Sequence, residues 1–420
     1  MKVNLAYGPA HLAVDLPDDC TTVISPQDRP GLLDERQAVL DALEHPIGCR
    51  PLKDWVKRTD RVCIAFTDST RATPNERIIP WLLDLLSPVP PGNVTLLNQV
   101  GTHRANTPAE LERMLTPAVV QRYRVLNHEP ENPGALVQLG TTRDGTPAWF
   151  NRHLVEADVR IITGFIEPHF FAGFSGGPKG IVPGCAGLQT VMSNHGARNI
   201  GHPNATFGIT DGNPWWEELR ELAHRVGTSF LLNVTLNEQR RITGVFAGDL
   251  IEAHRAGCEF VRDSAMQKVA APFDIVVTSN SGAPLDLNLY QGVKGLSAGA
   301  RIVKEGGLLV LACECCEGMP PGSAFERLLQ SASGPDELLQ RLPQTGPGLA
   351  DQWQAQILAL IQQKAEVRVH STLPAEALEA CHLRPCPDIG AAVTGRLRQL
   401  GPTARVAVLP QGPLTIPYLG

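Results

Sequence analysis

The sequence contains no apolar run long enough to cross a membrane and no surplus of basic residues. A bilayer-spanning helix needs about 18 consecutive apolar residues, and no such run occurs. The segment 1–19 also lacks the apolar centre of a secretory signal peptide. Lysine and arginine together number 37 against 43 aspartate and glutamate residues, a net charge of −6, so nothing favours nucleic acid or an anionic membrane as a partner. We therefore expect a cytoplasmic protein that binds neither.

Repeated cysteine motifs of the kind that bind zinc are also absent. The sequence has ten cysteines but only one CxxC spacing, from Cys313 to Cys316. A zinc ribbon needs a second CxxC to complete its four ligands. Cys313, Cys315 and Cys316 follow the apolar segment 306–312, which is typical of a buried strand. In a cytoplasmic chain of this size most cysteines are reduced and act as small core residues. For this cluster we favour packing, while metal ligation and redox chemistry stay open.

The chain has no GxxxxGK[ST] phosphate loop, but one glycine-rich segment, residues 164–195, contains a single lysine. The segment is GFIEPHFFAGFSGGPKGIVPGCAGLQTVMSNH, and Lys179 follows a proline and precedes a glycine. Dense glycines let the backbone approach a ligand closely. A lysine in such a loop is a phosphate contact, a nucleophile, or a solvated side chain on a surface loop. His169 and His195 flank Lys179 and favour a functional site over a surface loop.

Composition and length indicate a globular protein of two or three domains. Hydrophobic residues make up 43% and charged residues 19% of the 420 residues, which provides an ample core. We predict an N-terminal α/β domain over residues 1–270 and a second α/β domain over 271–404. We allow the tail, about 405–420, to return to the first domain.

Polar side chains follow several apolar strands of the first predicted domain. The strands are predicted at Val62–Thr67, Val94–Gln99 and 159–163. Each precedes a loop and a helix, as in doubly wound α/β domains. Asp68 and Arg71 follow the first strand, His103 the second and His169 the third. A lone histidine in a loop is more often structural, but ligands of such sheets bind at the carboxyl ends of the strands. Three site-like strand ends therefore favour a functional site.

Several helices are also predicted from periodicity and capping signals. Thr107 and Glu110 have the spacing of a capping box. The predicted helices used below cover 31–44, 51–60, Pro214–Val226, 250–269 and Ile389–Leu400.

These segments together resemble the nickel-dependent lactate racemase family over nearly the whole chain. The matching residues are DSTR at 68–71, GTH at 101–103, EPHFFAGFSGGPK at 167–179, His195, and YQGVKG at 290–295. The resemblance implies a nickel-pincer nucleotide, a pyridinium nucleotide with two sulfur-containing arms, one of them joined covalently to a lysine. Nickel is then held by both sulfurs, a ring carbon and one histidine, a planar sulfur-rich set that suits this metal.

Individual cofactor residues also follow from the resemblance. Lys179 corresponds to the tether and His195 to the nickel ligand. Phe171, Gly176 and Gly177 correspond to residues around the cofactor, and the glycine amides are available to meet its phosphate. Asp68 matches a residue that contacts the nucleotide or orients Arg71. The resemblance further implies cofactor-biosynthesis proteins as partners.

The reaction implied is racemisation or epimerisation of a 2-hydroxy acid by reversible hydride transfer. The α-proton of a carboxylate is very weakly acidic, which makes a carbanion route difficult. In a hydride route a base takes the hydroxyl proton while the α-hydride moves to the cofactor, and the resulting 2-keto acid reorients. Two bases are needed, one for each enantiomer, and His103 and His169 are the matching positions. An imidazole suits this role because an unperturbed histidine changes its charge near neutral pH.

Substrate anchors are implied in both predicted domains. Arg71, Gln291 and Lys294 match residues that hold the carboxylate and polarise the keto group, and arginine pairs with carboxylates in a bidentate manner. Tyr290 and Trp353 match aromatic walls, although Trp353 fits a helix core equally well. Because Arg71 and Lys294 lie in different predicted domains, we expect the site in the cleft between them.

Substrate choice and two competing functions stay open at this point. Lactate or another short aliphatic hydroxy acid is favoured, because no further cation for a second carboxylate is identifiable. Malate, 2-hydroxyglutarate, phenyllactate and gluconate are the alternatives. A metal-dependent hydrolase would place His103, His169 and His195 around zinc. A non-catalytic binding protein for hydroxy acids or nucleotides is the third class.

Overall fold

The computed structural model describes residues 1–320, 323–342 and 348–420 and has an α/β architecture. No helix in these ranges is long and apolar enough to span a membrane. The strands are β1 (Lys2–Tyr7), β2 (Ala10–Asp15), β3 (Thr21–Val23), β4 (Val62–Thr67), β5 (Val94–Gln99), β6 (Arg124–Asn127), β7 (Leu136–Thr141), β8 (Pro147–Asn151), β9 (Val159–Phe165), β10 (Pro168–His169), β11 (Gly173–Phe174), β12 (Phe230–Leu236), β13 (Ile242–Asp249), β14 (Met266–Val269), β15 (Phe273–Ser279), β16 (Val303–Ala312), β17 (Ala365–His370), β18 (Arg384–Pro385), β19 (Val406–Leu409) and β20 (Ile416–Leu419).

The helices lie between these strands in the alternating order of an α/β protein. They are α1 (Glu35–Glu44), α2 (Asn75–Leu85), α3 (Pro108–Leu115), α4 (Pro117–Arg122), α5 (Arg152–Val155), α6 (Leu188–Asn194), α7 (Ala197–Ile200), α8 (Pro214–Val226), α9 (Glu252–Ala265), α10 (Leu289–Ala300), α11 (Ala324–Gln330), α12 (Pro335–Arg341), α13 (Gln352–Lys364), α14 (Ala375–Glu379) and α15 (Ile389–Leu400).

The first sheet has six strands in the order β13-β12-β9-β4-β5-β6, and only β13 runs antiparallel to its neighbour. Its central strands are buried almost throughout, because helices cover both faces of a parallel sheet. Strands β4 and β5 have the predicted bounds, and β9 continues two residues further than predicted, to Phe165. The doubly wound α/β prediction is confirmed.

The second sheet also has six strands, all parallel, in the order β18-β17-β16-β15-β19-β3. Its last strand, β3, comes from the start of the chain and pairs with β19 near the end. The hairpin of β1 and β2 packs onto the same sheet through Val3, Leu5, Val14 and Leu16. The N-terminal segment therefore lies with the second sheet, whereas the predicted limits of 1–270 and 271–404 assign it to the first domain; the limits stay a prediction.

The C-terminal tail is divided between two sheets. Strand β19 belongs to the second sheet, whereas β20 pairs in parallel with β14. The predicted helix 250–269 therefore ends at Ala265, because Met266–Val269 extends to meet the tail. These paired strands are far apart in sequence, so the local pattern of apolar residues does not predict which strands pair.

Several predicted helix bounds agree with the structure. Thr107 and Glu110 form the predicted capping box of α3, and α8 and α15 have the predicted bounds. Helix α1 begins only at Glu35, because the Asp34 side chain accepts from the Gln37 amide and caps the helix there. The predicted helix over 51–60 is reduced to a single 3₁₀ turn at Leu52–Asp54.

Two thiols of the cysteine cluster lie in the core. Cys313 and Cys315 are buried with their Sγ atoms 3.4 Å apart, and Cys316 is exposed. The hydrogen bond with Cys315, together with burial, holds the pKa of Cys313 well above its usual range. A thiol that stays protonated is a weak nucleophile and a weak metal ligand.

Candidate active site

Three neighbouring strands of the first sheet bring the predicted polar residues to one edge. Strands β9, β4 and β5 lie side by side and parallel. Asp68 follows β4, His103 follows β5, and His169 follows β9 in a short hairpin of β10 and β11. Parallel strands end at the same edge, which is where ligands bind in such sheets.

His103 forms a hydrogen-bonded pair with Asp68. Its Nδ1 lies 2.7 Å from Oδ2 of Asp68, whose side chain is 3% exposed, while the imidazole is 37% exposed. Burial alone would raise the pKa of Asp68, but the hydrogen bond and charge of His103 outweigh it and the pKa is lowered. The ionised carboxylate accepts from Nδ1–H, so Nε2 is the atom left to exchange a proton. The Thr70 hydroxyl donates to the other carboxylate oxygen at 2.7 Å.

His169 contacts Lys179 directly, with 2.8 Å between Nε2 and Nζ. The Nδ1 of His169 accepts from the backbone N–H of Ala172 at 3.2 Å. A neutral ring that accepts at Nδ1 carries its proton on Nε2, which therefore donates to a neutral Lys179 amine. Burial, and then the charges of Arg71 and Lys294, lower the pKa of Lys179 well below its usual range. A neutral lysine is a nucleophile.

Lys179 lies in the 3₁₀ turn Gly177–Gly180, beside aromatic rings. Its Nζ is 5.6 Å from the ring centre of Phe171 and 5.3 Å from that of Trp215. Phe171 also packs edge-on against His169, with ring centres 4.5 Å apart. These rings exclude water from the amine, which explains the loss of its charge.

The two glycines before Lys179 are required by the protein itself. Gly176 and Gly177 have φ of 77° and 55°, the left-handed region. A Cβ on Gly176 would lie 2.4 Å from Oδ1 of Asn233, and one on Gly177 would lie 2.4 Å from His254. The Gly177 amide already donates to Asn233 at 2.8 Å. Both glycines line the pocket of His103, so contact with a nucleotide stays a prediction.

His195 follows α6 and is held in one tautomer. Its Nδ1–H donates to the carbonyl of Val191 at 2.9 Å, and the residue is 5% exposed. Burial, and then the charge of Lys179, lower the pKa of His195 to about 3. The ring is neutral at physiological pH, with the lone pair on Nε2. A histidine fixed through one nitrogen and free at the other is the usual form of a metal ligand.

Aromatic side chains from both halves of the chain surround His195. Its ring centre lies 5.1 Å from Trp215 and 4.9 Å from Trp353 in α13. The Trp353 Nε1–H donates to the hydroxyl of Tyr290 in α10 at 2.9 Å. Helices of the second sheet therefore form the wall behind the imidazole, and Trp353 packs against the expected metal ligand.

Two adjoining pockets lie in front of these groups and share Arg71, Ser175 and Lys179. One contains His103, and the other contains His169 and Lys294. The second pocket is lined from both α/β units. Leu285, Lys294 and Pro413 come from the unit of the second sheet, and they face the loops that follow β4 and β9 of the first sheet. The expected position between the two α/β units therefore has a matching cavity.

The side chains of Arg71 and Lys294 are free cations in this cavity. Neither makes a hydrogen bond or ion pair with any residue in the described ranges, and both line the pocket. Burial, and then the charge of Arg71, lower the pKa of Lys294 to about 8. Unpaired cations in a partly closed pocket favour an anionic ligand.

Three predicted substrate residues lie outside the two pockets. Tyr290, Gln291 and Trp353 are absent from the described linings. Gln291 is half-buried one turn before Lys294 on α10. Glu167 lines the pocket of Lys294 but was not identified as a site residue from the sequence, although its position four residues after a predicted strand was a usable signal.

No cluster of three or more histidine, cysteine or acidic side chains could hold a metal among the residues that the structure describes. His103 bonds to Asp68, His169 to Lys179 and His195 to Val191. The three histidines of the hydrolase alternative thus have separate partners.

Sequence comparison places the chain in a family. The description "Lactate racemase N-terminal domain" matches residues 7–208 and "Lactate racemase C-terminal domain" matches 268–416. The lactate racemase of Thermoanaerobacterium thermosaccharolyticum is 35% identical and that of Lactiplantibacillus plantarum 31% identical. The first alignment covers 98% of both chains, and the second covers 96% of this chain and 98% of the relative.

Solved structures agree with this placement. The lactate racemase apoprotein of Thermoanaerobacterium thermosaccharolyticum superposes with a TM-score of 0.93 at 33% identity, over 99% of this chain and 100% of that one. A Thermotoga maritima protein, 18% identical with a TM-score of 0.70 over 94% and 100% of the chains, shares the fold. The fold and the relatives define an isomerase of the racemase class. The chain belongs to the lactate racemase family.

Proposed function

We propose that the protein racemises a short aliphatic 2-hydroxy acid, with lactate as the favoured substrate, by reversible hydride transfer. The observation that carries this proposal is the placement of two imidazoles in adjoining pockets that share Arg71 and Lys179. Two relatives that align over nearly the whole chain carry the name lactate racemase. The direct test is incubation of the cofactor-loaded protein with L-lactate, followed by chiral chromatography for D-lactate. Failure to form D-lactate would contradict the proposed substrate.

His103 and His169 are the proposed acid/bases, one for each enantiomer. His103 exchanges its proton through Nε2, because Asp68 holds Nδ1. The Nε2 of His169 is engaged by the Lys179 amine in this structure. Covalent attachment of the cofactor to that amine would release Nε2 of His169, which would then face the substrate and exchange the hydroxyl proton there.

Lys179 and His195 would hold the nickel-pincer nucleotide, and both fit it. The first is a neutral buried amine, and the second is an imidazole of fixed tautomer with a free Nε2. When bound, this cofactor would accept the hydride that leaves C2 of the substrate. Phe171 packs between His169 and His195 and would close the cofactor site on one side. Cofactor-biosynthesis proteins are the expected partners.

We expect Arg71→Ala and Lys294→Ala each to lower kcat/KM by more than about tenfold, since losing a buried charge partner typically costs about 2–5 kcal/mol. Both cations are free to pair with the substrate carboxylate. Steady-state kinetics with lactate measure the effect, and nickel content is expected to stay near that of the unchanged protein. Lys304→Ala is the control, because Lys304 pairs with Asp274 at the surface. Wild-type kcat/KM in either pocket variant would exclude that residue as an anchor.

The affinity for the hydroxy acid is expected to fall as pH rises through about 8, the lowered pKa of Lys294. The sign follows because the ammonium form, present below this pKa, attracts the carboxylate and the neutral amine does not. Lys294→Arg keeps its charge throughout and should move the fall to higher pH. Calorimetric titrations with lactate across this range measure the shift. Identical pH profiles for the two proteins would show that Lys294 does not bind the carboxylate.

A further inference from the structure

Glu167 is the one acidic residue among the described side chains that line the pocket of Arg71 and Lys294. We propose that its carboxylate determines specificity by restricting the pocket to hydroxy acids with a single carboxylate group. This inference rests on the proposed function and narrows it to a substrate class.

The backbone fixes Glu167 at the pocket. Its N–H donates to the hydroxyl of Ser175 at 3.0 Å, and its carbonyl accepts from the Ser175 amide at 2.9 Å. The Ser175 hydroxyl in turn donates to the carbonyl of Phe165 at the end of β9. Both residues line the pocket, so this pairing holds the backbone of Glu167 beside it.

The carboxylate of Glu167 has no hydrogen-bonded or ion-paired partner among the described residues. Lys294, Arg71 and Lys179 are the basic side chains near it. Burial raises the pKa of Glu167, and the charges of Lys294 and Arg71 work against that rise. An unpaired carboxylate in a partly buried pocket is an acceptor that repels a second anion.

Counting charges in the pocket leads to a substrate with one carboxylate. The lining has two basic side chains to pair with an anion, Arg71 and Lys294, and one acidic side chain, Glu167, while Lys179 would be taken by the cofactor. A lactate carboxylate would occupy Arg71 and Lys294. A second carboxylate, as in malate, finds no free cation and approaches Glu167 instead, an arrangement of like charges that costs binding energy.

The remaining wall of the pocket suits an alkyl group. Phe170, Phe207, Leu285 and Pro413 line it, and Phe170 and Phe207 are almost fully buried. A methyl group or short alkyl chain can pack against these side chains without giving up hydrogen bonds to water. A charged group would be desolvated there, which costs binding energy.

The test compares lactate with malate in Glu167→Gln, Glu167→Asp and the unchanged protein, all loaded with cofactor. The measured quantity is the ratio of kcat/KM for malate to that for lactate. We expect the unchanged protein to favour lactate and Glu167→Gln to raise the ratio by about tenfold or more, since the amide keeps the size and loses the charge. Glu167→Asp keeps the charge and should stay near the original ratio. Glu314→Gln, a half-buried acid outside the pocket lining, should not change it.

A binding measurement separates this inference from the proposed function. Calorimetric titration of the cofactor-loaded protein, with lactate and with malate, should show the same order of preference and the same change in Glu167→Gln. Racemisation with an unchanged ratio overturns the role of Glu167 alone. Preferential binding of lactate without any racemisation overturns the proposed function alone. Neither binding nor turnover of either acid overturns both.

Discussion

Replacing Lys179 with alanine is expected to abolish both the covalent nucleotide adduct and all racemisation. The amine is buried beside Phe171 and Trp215 and lies 2.8 Å from Nε2 of His169. Burial and neighbouring cations lower its pKa well below the usual range, so it is the nucleophile best placed to form a covalent bond. Intact-mass analysis of protein produced together with the cofactor-building proteins should show a mass increment that Lys179→Ala lacks.

Two further variants sharpen this result. Lys179→Arg keeps a cation in the loop but cannot supply a neutral amine, so it should also lack the adduct. Lys364→Ala changes another partly buried lysine, whose Nζ donates to the carbonyl of Ala300, and should retain the adduct in full. An active racemase of unmodified mass would show that the lysine is not a tether.

The three histidines are expected to separate into two functions. His195→Ala should lose nickel, because its Nε2 is the free nitrogen of a neutral imidazole. His103→Ala and His169→Ala should retain nickel and lose turnover on the order of 10²–10⁴-fold, the usual cost of removing a general acid or base. Elemental analysis and initial rates from each enantiomer measure the two properties separately.

A matched variant tests whether Asp68 acts through His103. Asp68→Asn keeps the shape of the side chain but removes the charge that orients the imidazole, so turnover should fall while nickel stays bound. Full racemisation from both enantiomers in His103→Ala would contradict the scheme of two bases. Loss of nickel in His103→Ala would instead place this residue with the metal ligands.

The sequence predicts those features that depend on neighbours along the chain. Strands β4 and β5 were located because their apolar runs are continuous and end in polar residues. The capping box at Thr107 was located from a spacing of three residues. By contrast, β3 pairs with β19 across most of the chain, and β14 pairs with β20 across 150 residues (266 to 416). Nothing local in these short strands identifies a partner, so limits predicted from the sequence cannot take these pairings into account.

The candidate site shows the same division. The glycine-rich loop around Lys179 and the histidines at the strand ends were recognised from motif and position. The hydrogen bonds of Asp68 to His103 and of His169 to Lys179 arise from tertiary contact and were not foreseen. Glu167 was overlooked because its significance depends on Arg71 and Lys294, which come from different α/β units.

Racemisation of lactate that carries deuterium at C2, in ordinary water, tests the hydride mechanism most directly. In the proposed reaction the histidines handle only the hydroxyl proton, so the hydrogen at C2 does not exchange with solvent. We predict that both enantiomers at equilibrium retain the deuterium, as mass spectrometry after chiral separation would show. Replacement of deuterium by protium in the newly formed enantiomer would mean that a base removes the α-proton, and would contradict this account of the site.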